Sequence, residues 1–235
     1  MEFKPENKSL YFGTPLYVFE FPQYLNYVNK GCIKHLQAAK ISYQKNIEER
    51  NKLIGKNIKD MGFVYHSGSM INDPELADLQ KLIGDYSFTI LTDIGYDMSQ
   101  LELYWTEFWV QEFSRLGGGN HEGHTHNNNH ISGFYFLKCS GTTSFPIFHD
   151  PRYAKEMMQL PIPKDSKADS PSQDKLFIKP KPGQAVFFPA YLEHEFTVDA
   201  GIEPFRFIHF NLQAVRKLVA NTIRAITIAN VDKSK

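Results

Sequence analysis

Between Gly119 and Leu137 the chain reads GNHEGHTHNNNHISGFYFL, with His121, His124, His126 and His130 crowded ahead of an apolar, aromatic run. Neutral imidazole binds first-row transition metals, and residues i and i+2 of an extended strand point to one face. His124 and His126 are therefore placed to reach one ion from one side. A zinc finger would want cysteines at close spacing, and none stands near. The segment reads as a catalytic metal site that opens a β-strand.

The rest of the chain must build a fold around that site. Its 235 residues suffice for one substantial core with a helical flank. Aromatics reach 14%, mostly Phe and Tyr, which favours a β-rich interior. Lys plus Arg and Asp plus Glu balance at 26 each, so no global basic field argues for bulk nucleic-acid or anionic-membrane binding. Cys32 and Cys139 lie far apart and suit a reducing compartment better than a disulfide-stapled secreted protein. The opening MEFKPENKSLYFG has no apolar leader core, and no stretch is long enough to span a membrane. The expectation is a soluble, cytoplasmic protein.

Residues 10–21, LYFGTPLYVFEF, read as a strand, and residues 24–53 as a helix with Leu25, Val28, Ile33, Leu36 and Ile41 spaced by three to five. Asp73 and Pro74 signal a second helix, over 74–86, with Asp73 as N-cap. From Leu101 the character changes. LELYWTEFWVQEFS, ISGFYFLK, TSFPIF, KLFIKP, QAVFFPA, HEFTVD and FRFIHFNLQ are short aromatic runs parted by Gly, Pro or Asn. Such a series makes a sandwich or barrel. The expectation is a single domain, mainly β with flanking α-helices: residues 1–100 packed on a double-sheet core at 101–213, with a C-terminal segment, 214–235, that is a helix or an edge strand. The polar insert at 161–175 reads as a mobile loop.

A metal needs a third ligand, and KPKPGQAVFFPAYLEHEFTV offers His194 at the start of a strand. In FRFIHFNLQ, Phe205, Phe207 and His209 share one strand face, while Arg206, Ile208 and Phe210 share the other. A buried guanidinium demands an anion. No acidic partner is evident nearby in sequence, so a ligand carboxylate is the candidate. His209 reads as a histidine at the core rim, and Asp150-Pro151-Arg152 as a turn with a local ion pair.

The order His124-Thr125-His126, Ser132 to Leu137, Phe148 to Arg152, Pro182-Gly183 through Phe188-Pro189, His194, Arg206 and Phe210-Asn211 resembles the Fe(II)/2-oxoglutarate-dependent dioxygenases. It is most similar to the bacterial and phage-type oxygenases related to the prolyl hydroxylases, over roughly residues 103–213. The resemblance implies a double-stranded β-helix (jelly-roll, cupin-like) core. It also implies Fe(II) bound by His124, His126 and His194, and 2-oxoglutarate as cosubstrate with its C5 carboxylate held by Arg206 and Tyr135. It implies O2 as co-reactant, release of succinate and CO2, and hydroxylation of an unidentified substrate, with a slight lean to a protein or peptide. It admits a homodimer. One position departs from the wider pattern: His126 stands where a carboxylate is usual, so either three histidines hold the iron or Glu122 or Asp150 supplies an acid. The resemblance favours His126. Two other readings compete, a cupin-like three-histidine enzyme without 2-oxoglutarate and a non-catalytic jelly-roll binding module.

Overall fold

The computed structural model describes residues 12–158 and 160–217. It begins with β1 (Tyr17–Glu20), α1 (Leu25–Leu53), β2 (Val64–His66) and α2 (Ala77–Ile94). Eight strands follow: β3 (Leu101–Phe113), β4 (His121–His124), β5 (Ile131–Lys138), β6 (Pro146–His149), β7 (Lys175–Phe177), β8 (Gln184–Pro189), β9 (His194–Phe196) and β10 (Arg206–Arg216). The strands form a six-stranded sheet, β1-β8-β5-β10-β3-β2, and a four-stranded sheet, β4-β9-β6-β7. Every described pairing is antiparallel. From β3 to β10 the chain passes back and forth between the sheets, which is the double-stranded β-helix, or jelly roll.

Central strands β5 and β10 are buried on both faces, and alternation sorts their side chains. Phe134, Phe136, Phe205 and Phe207 face the smaller sheet, where they join Phe113, Phe148, Phe188 and Phe196. Tyr135, Leu137, Ile208 and Phe210 face the helices. There they meet Val28, Cys32 and Leu36 of α1 and Leu79, Ile83 and Ile90 of α2, a stripe of helical spacing on each helix. Gly133 is required by this packing: a Cβ there would run into the Phe210 ring and the Val186 carbonyl.

The helix reading holds for α1. Asp73 caps the second helix as expected, accepting from the Glu75 amide at 2.9 Å ahead of a 3-10 turn at Pro74. That helix runs on past 86 to Ile94, where Gly95 ends it with φ 108° in the left-handed region. The strand expected over 10–21 is shorter, and residues 10 and 11 lie outside the described residues. Residues 160–174 form a run of turns, tied to β6 by the Asp150 amide donating to Asp174 O at 2.8 Å. Of the C-terminal segment, β10 takes residues through Arg216, and 218–235 lie outside the described residues.

Arg206 is not short of an acid. Its cross-strand partner on β3 is Glu112. Arg206 Nε donates to Glu112 Oε2 at 2.8 Å, and a terminal guanidinium nitrogen donates to the same oxygen. Lys40 of α1 donates to Glu112 Oε1 at 2.5 Å, and Asn29 accepts from Arg206 at 3.3 Å. Against burial, Lys40 and Arg206 hold the Glu112 carboxyl below its ordinary range. The expectation of an unpartnered guanidinium is therefore corrected. Its partner was hidden because it lies 94 residues away in the chain.

Two stability predictions follow from this packing. Arg206→Ala leaves Glu112 short of a charge at a side-chain exposure of 7%, and should cost about 3–5 kcal/mol in urea denaturation. A loss below about 1 kcal/mol would make the pair a surface-type contact. Gly133→Ala should cost at least the roughly 1–3 kcal/mol of an overpacked core, read from the same unfolding curves.

Candidate metal centre

β4 and β9 pair in the smaller sheet so that His124 stands directly opposite His194. Past β4 the chain leaves the strand. The His126 amide donates to Ala190 O at 2.9 Å and the Ala190 amide to His130 O at 3.2 Å, which straps residues 126–130 to the end of β8. His126 Nε2 then comes within 3.3 Å of His194 Nε2. One ring nitrogen of each of His124, His126 and His194 lies within 4.8 Å of the others. The expected three histidines are brought together, but strand periodicity is not the reason. His126 lies beyond the last residue of β4 and is placed by the strap.

Backbone carbonyls prepare two of these rings. His194 Nδ1 faces Leu192 O at 3.0 Å, and His124 Nδ1 faces Glu122 O at 2.7 Å. A carbonyl only accepts, so each Nδ1 carries the ring proton and each Nε2 keeps its lone pair. Burial pushes the His194 pKa down to about 2 and that of His126 to about 3, so both are neutral at pH 7. His194 is fully buried among the rings of Phe134, Phe148 and Phe188. Two nitrogens each roughly 2.0–2.1 Å from one ion stand about 3 Å apart, close to the spacing of His126 and His194. The donor set fits a divalent first-row metal.

The other sequence candidates stand elsewhere. His130 Nδ1 accepts from the Ala214 amide at 3.0 Å and helps to seat β10. His121 contacts Gln111, and burial pushes its pKa down to about 4. The Asp150 carboxylate accepts from Arg152 and Lys155, and Glu122 is exposed. Neither acid belongs to a metal-ligating group among the described residues. The carboxylate that does approach is Glu107 of β3, grouped with His126 and His209. Parity in the sequence puts Phe207, His209 and Asn211 on one face, but only the register, which pairs Glu107 with Asn211 across the ladder, brings the carboxylate to it.

Arg206 and Tyr135, expected to hold the cosubstrate carboxylate, face the helices instead. Tyr135 donates its hydroxyl to Phe21 O at 2.9 Å, and Arg206 is engaged by Glu112. Phe134, next to Tyr135 on β5, packs its ring against His194, and Phe207, next to Arg206 on β10, lies in the same sandwich cluster as Phe134. Alternation along β5 and β10 accounts for the correction.

Residues 107–211 match the family model described as "Putative 2OG-Fe(II) oxygenase". No curated protein matches the chain. Among solved structures, AviO1 from Streptomyces viridochromogenes Tue57 is 11% identical over 85% of this chain and 90% of its own, with a TM-score of 0.53. That likeness shows the fold. A prolyl-4-hydroxylase from Pseudomonas putida is 10% identical over 85% of this chain and 93% of its own, with a TM-score of 0.47. A 2OG-Fe(II) oxygenase family oxidoreductase from Burkholderia pseudomallei is 12% identical over 64% and 67%, with a TM-score of 0.44. The segment matched by the family model runs from Glu107 to Asn211 and holds all three histidines of the cluster. Over that segment the jelly-roll core is similar to the putative 2OG-Fe(II) oxygenases that the model describes.

Proposed function

We propose that His124, His126 and His194 hold the Fe(II) of an oxygenase that hydroxylates a second substrate while 2-oxoglutarate is converted to succinate and CO2. The observation that carries this assignment is the convergence of three imidazole nitrogens, two of them set by backbone carbonyls, inside the segment that matches the family. Bound iron with 2-oxoglutarate and O2 supplies the oxidising chemistry. The chain supplies orientation and dryness. Leu192 and Glu122 hold two rings in the ligating tautomer, and Phe134, Phe148 and Phe188 keep water from the side of His194. Three neutral ligands leave the whole charge of a divalent ion available to an anionic cosubstrate. The described residues act as one domain in this reading.

A cavity of about 410 Å³, within the range of small-molecule sites, lies behind Phe148 and Leu192 and is lined by none of the three histidines. Its wall includes Phe148, packed on His194, and Leu192, whose carbonyl faces His194 Nδ1. Arg152 and Lys175 also line it. Arg152 is paired with Asp150 as Arg206 is with Glu112, but it lines the cavity, and so it is the first cation to test for the C5 carboxylate. A protein or peptide side chain is the proposed substrate class, on the resemblance to the prolyl hydroxylases. A peptide library incubated with the iron-loaded enzyme should then yield products with one added oxygen in mass spectra.

The protein with Fe(II) should release succinate from 2-oxoglutarate, and anaerobic addition of 2-oxoglutarate should produce a weak visible charge-transfer band. His194→Ala should abolish both. Absence of 2-oxoglutarate binding to the Mn(II)-loaded protein in calorimetry would remove the proposal. Arg152→Ala should weaken that binding by about tenfold or more, as for loss of a charge-assisted bond. An unchanged affinity would return the search to another cation.

The buried histidines also set a pH dependence. His126 and His194 fold with pKa values far below the ordinary 6.5. Below pH 6.5 the unfolded chain takes up protons that the folded chain does not, so the metal-free protein loses stability as pH falls from there toward about 3. Each histidine adds up to about 1.4 kcal/mol per pH unit to that slope. Denaturation of metal-free protein at about pH 7.5 and about pH 5.5 should show the loss at the lower value. Equal stability would mean that the two rings are not desolvated in solution.

A further inference from the structure

Glu107 and His209, on the inward face of the larger sheet, form a second group of potential ligands with His126. His209 is 1% exposed, and its Nε2 has no hydrogen-bond partner. That nitrogen stands 3.3 Å from Glu107 Oε2 but is not aligned with it as a hydrogen bond. Trp109 packs against the His209 ring and His66 against Trp109, so the imidazole is seated rather than free to turn away. A buried ring nitrogen left without a partner is costly. A cation held between it, the carboxylate and a third imidazole would satisfy all three. Glu107 is half-exposed, which leaves an ion a way in.

The third imidazole, His126, is shared with the triad. Asn211 Nδ2 donates to Glu107 Oε2 at 2.6 Å and lies 3.0 Å from His126 Nδ1, while Ser132 Oγ donates to Asn211 Oδ1. With the amide in this orientation His126 Nδ1 accepts, and the ring proton sits on Nε2, where His194 Nε2 accepts it at 3.3 Å. The His126 lone pair then faces the Glu107 side. Turning the Asn211 amide end for end would put its oxygen at Nδ1, move the ring proton there and free Nε2 for the triad. A neutral imidazole has one ring lone pair to give a metal, so His126 serves one group at a time.

We propose that Glu107, His126 and His209 form a second station for a divalent transition metal, alternative to the triad and sharing His126 with it. Two imidazoles and one carboxylate are a ligand set suited to Fe(II), and Co(II) probes it with a visible spectrum. The station stands on its own geometry and does not depend on the reaction assigned to the triad.

Anaerobic Co(II) titration of the full chain, followed by calorimetry and visible absorption, tests the proposal without turnover. Wild type should bind one ion. His194→Ala should still bind one, more weakly and with an altered spectrum. In that background Glu107→Gln or His209→Gln should remove the remaining ion, and Glu107→Asp should restore part of it. Circular dichroism melts report whether each variant is folded, and the half-exposed Glu107→Gln carries the result where His209→Gln is unstable. The proposal is overturned if His194→Ala binds no Co(II), or if its binding is unchanged by Glu107→Gln. Two ions per wild-type chain would overturn the exclusive use of His126. Failure of the oxygenase assignment would appear instead as wild-type protein that binds Co(II) but makes no succinate with Fe(II).

Discussion

The pairing of β5 with β10, buried on both faces, is the constraint on which the rest of this structure depends. Each residue of these strands is committed to one of two interiors, and a one-residue slip would exchange them. The helix side receives Tyr135, Ile208, Phe210 and the Arg206–Glu112 pair. The sandwich side receives Phe134, Phe136, Phe207 and His209. The helices therefore do more than cover a sheet. Lys40 and Asn29 of α1 complete the polar contacts of a buried ion pair that ties α1 to β3 and β10.

The smaller sheet is short-stranded, and its job is placement. His124 and His194 are register partners, so the ladder itself sets their separation. His126 depends on a different device, two backbone hydrogen bonds between the 126–130 segment and Ala190. Burial holds His126 and His194 neutral, and the rings of His124 and His194 are held in one tautomer by carbonyls two residues away. Metal affinity in such a site is tuned by these neighbours as well as by the ligands. The same logic makes Asn211 a control point, because its amide faces the one histidine common to both ligand groups.

Much of the fold was legible because it is local. Aromatic runs bounded by Gly and Pro marked most strands of the core, and the Asp73-Pro74 pair marked the start of α2. The three histidines were legible as residue types at suggestive spacing, and the family pattern extends over them. Val64–His66 was missed because a three-residue strand carries too little alternation to be seen. The end of α2 was misjudged because the later apolar positions, Ile90 and Leu91, take their meaning from the sheet they pack on.

The amino-acid sequence by itself determined the class of fold and the position of most core strands, since both rest on composition and short-range periodicity. Only the tertiary structure decided which partner each polar side chain found. Strand parity placed Arg206 and Phe207 on opposite faces, but which face held the histidines depended on how the two sheets closed. Glu112 met Arg206, and Glu107 met His209, across strands about a hundred residues apart in the chain, and no local pattern encodes such a pairing. A charge or a lone pair is satisfied by whatever the folded chain brings within about 3 Å of it, and that neighbour is a property of the register.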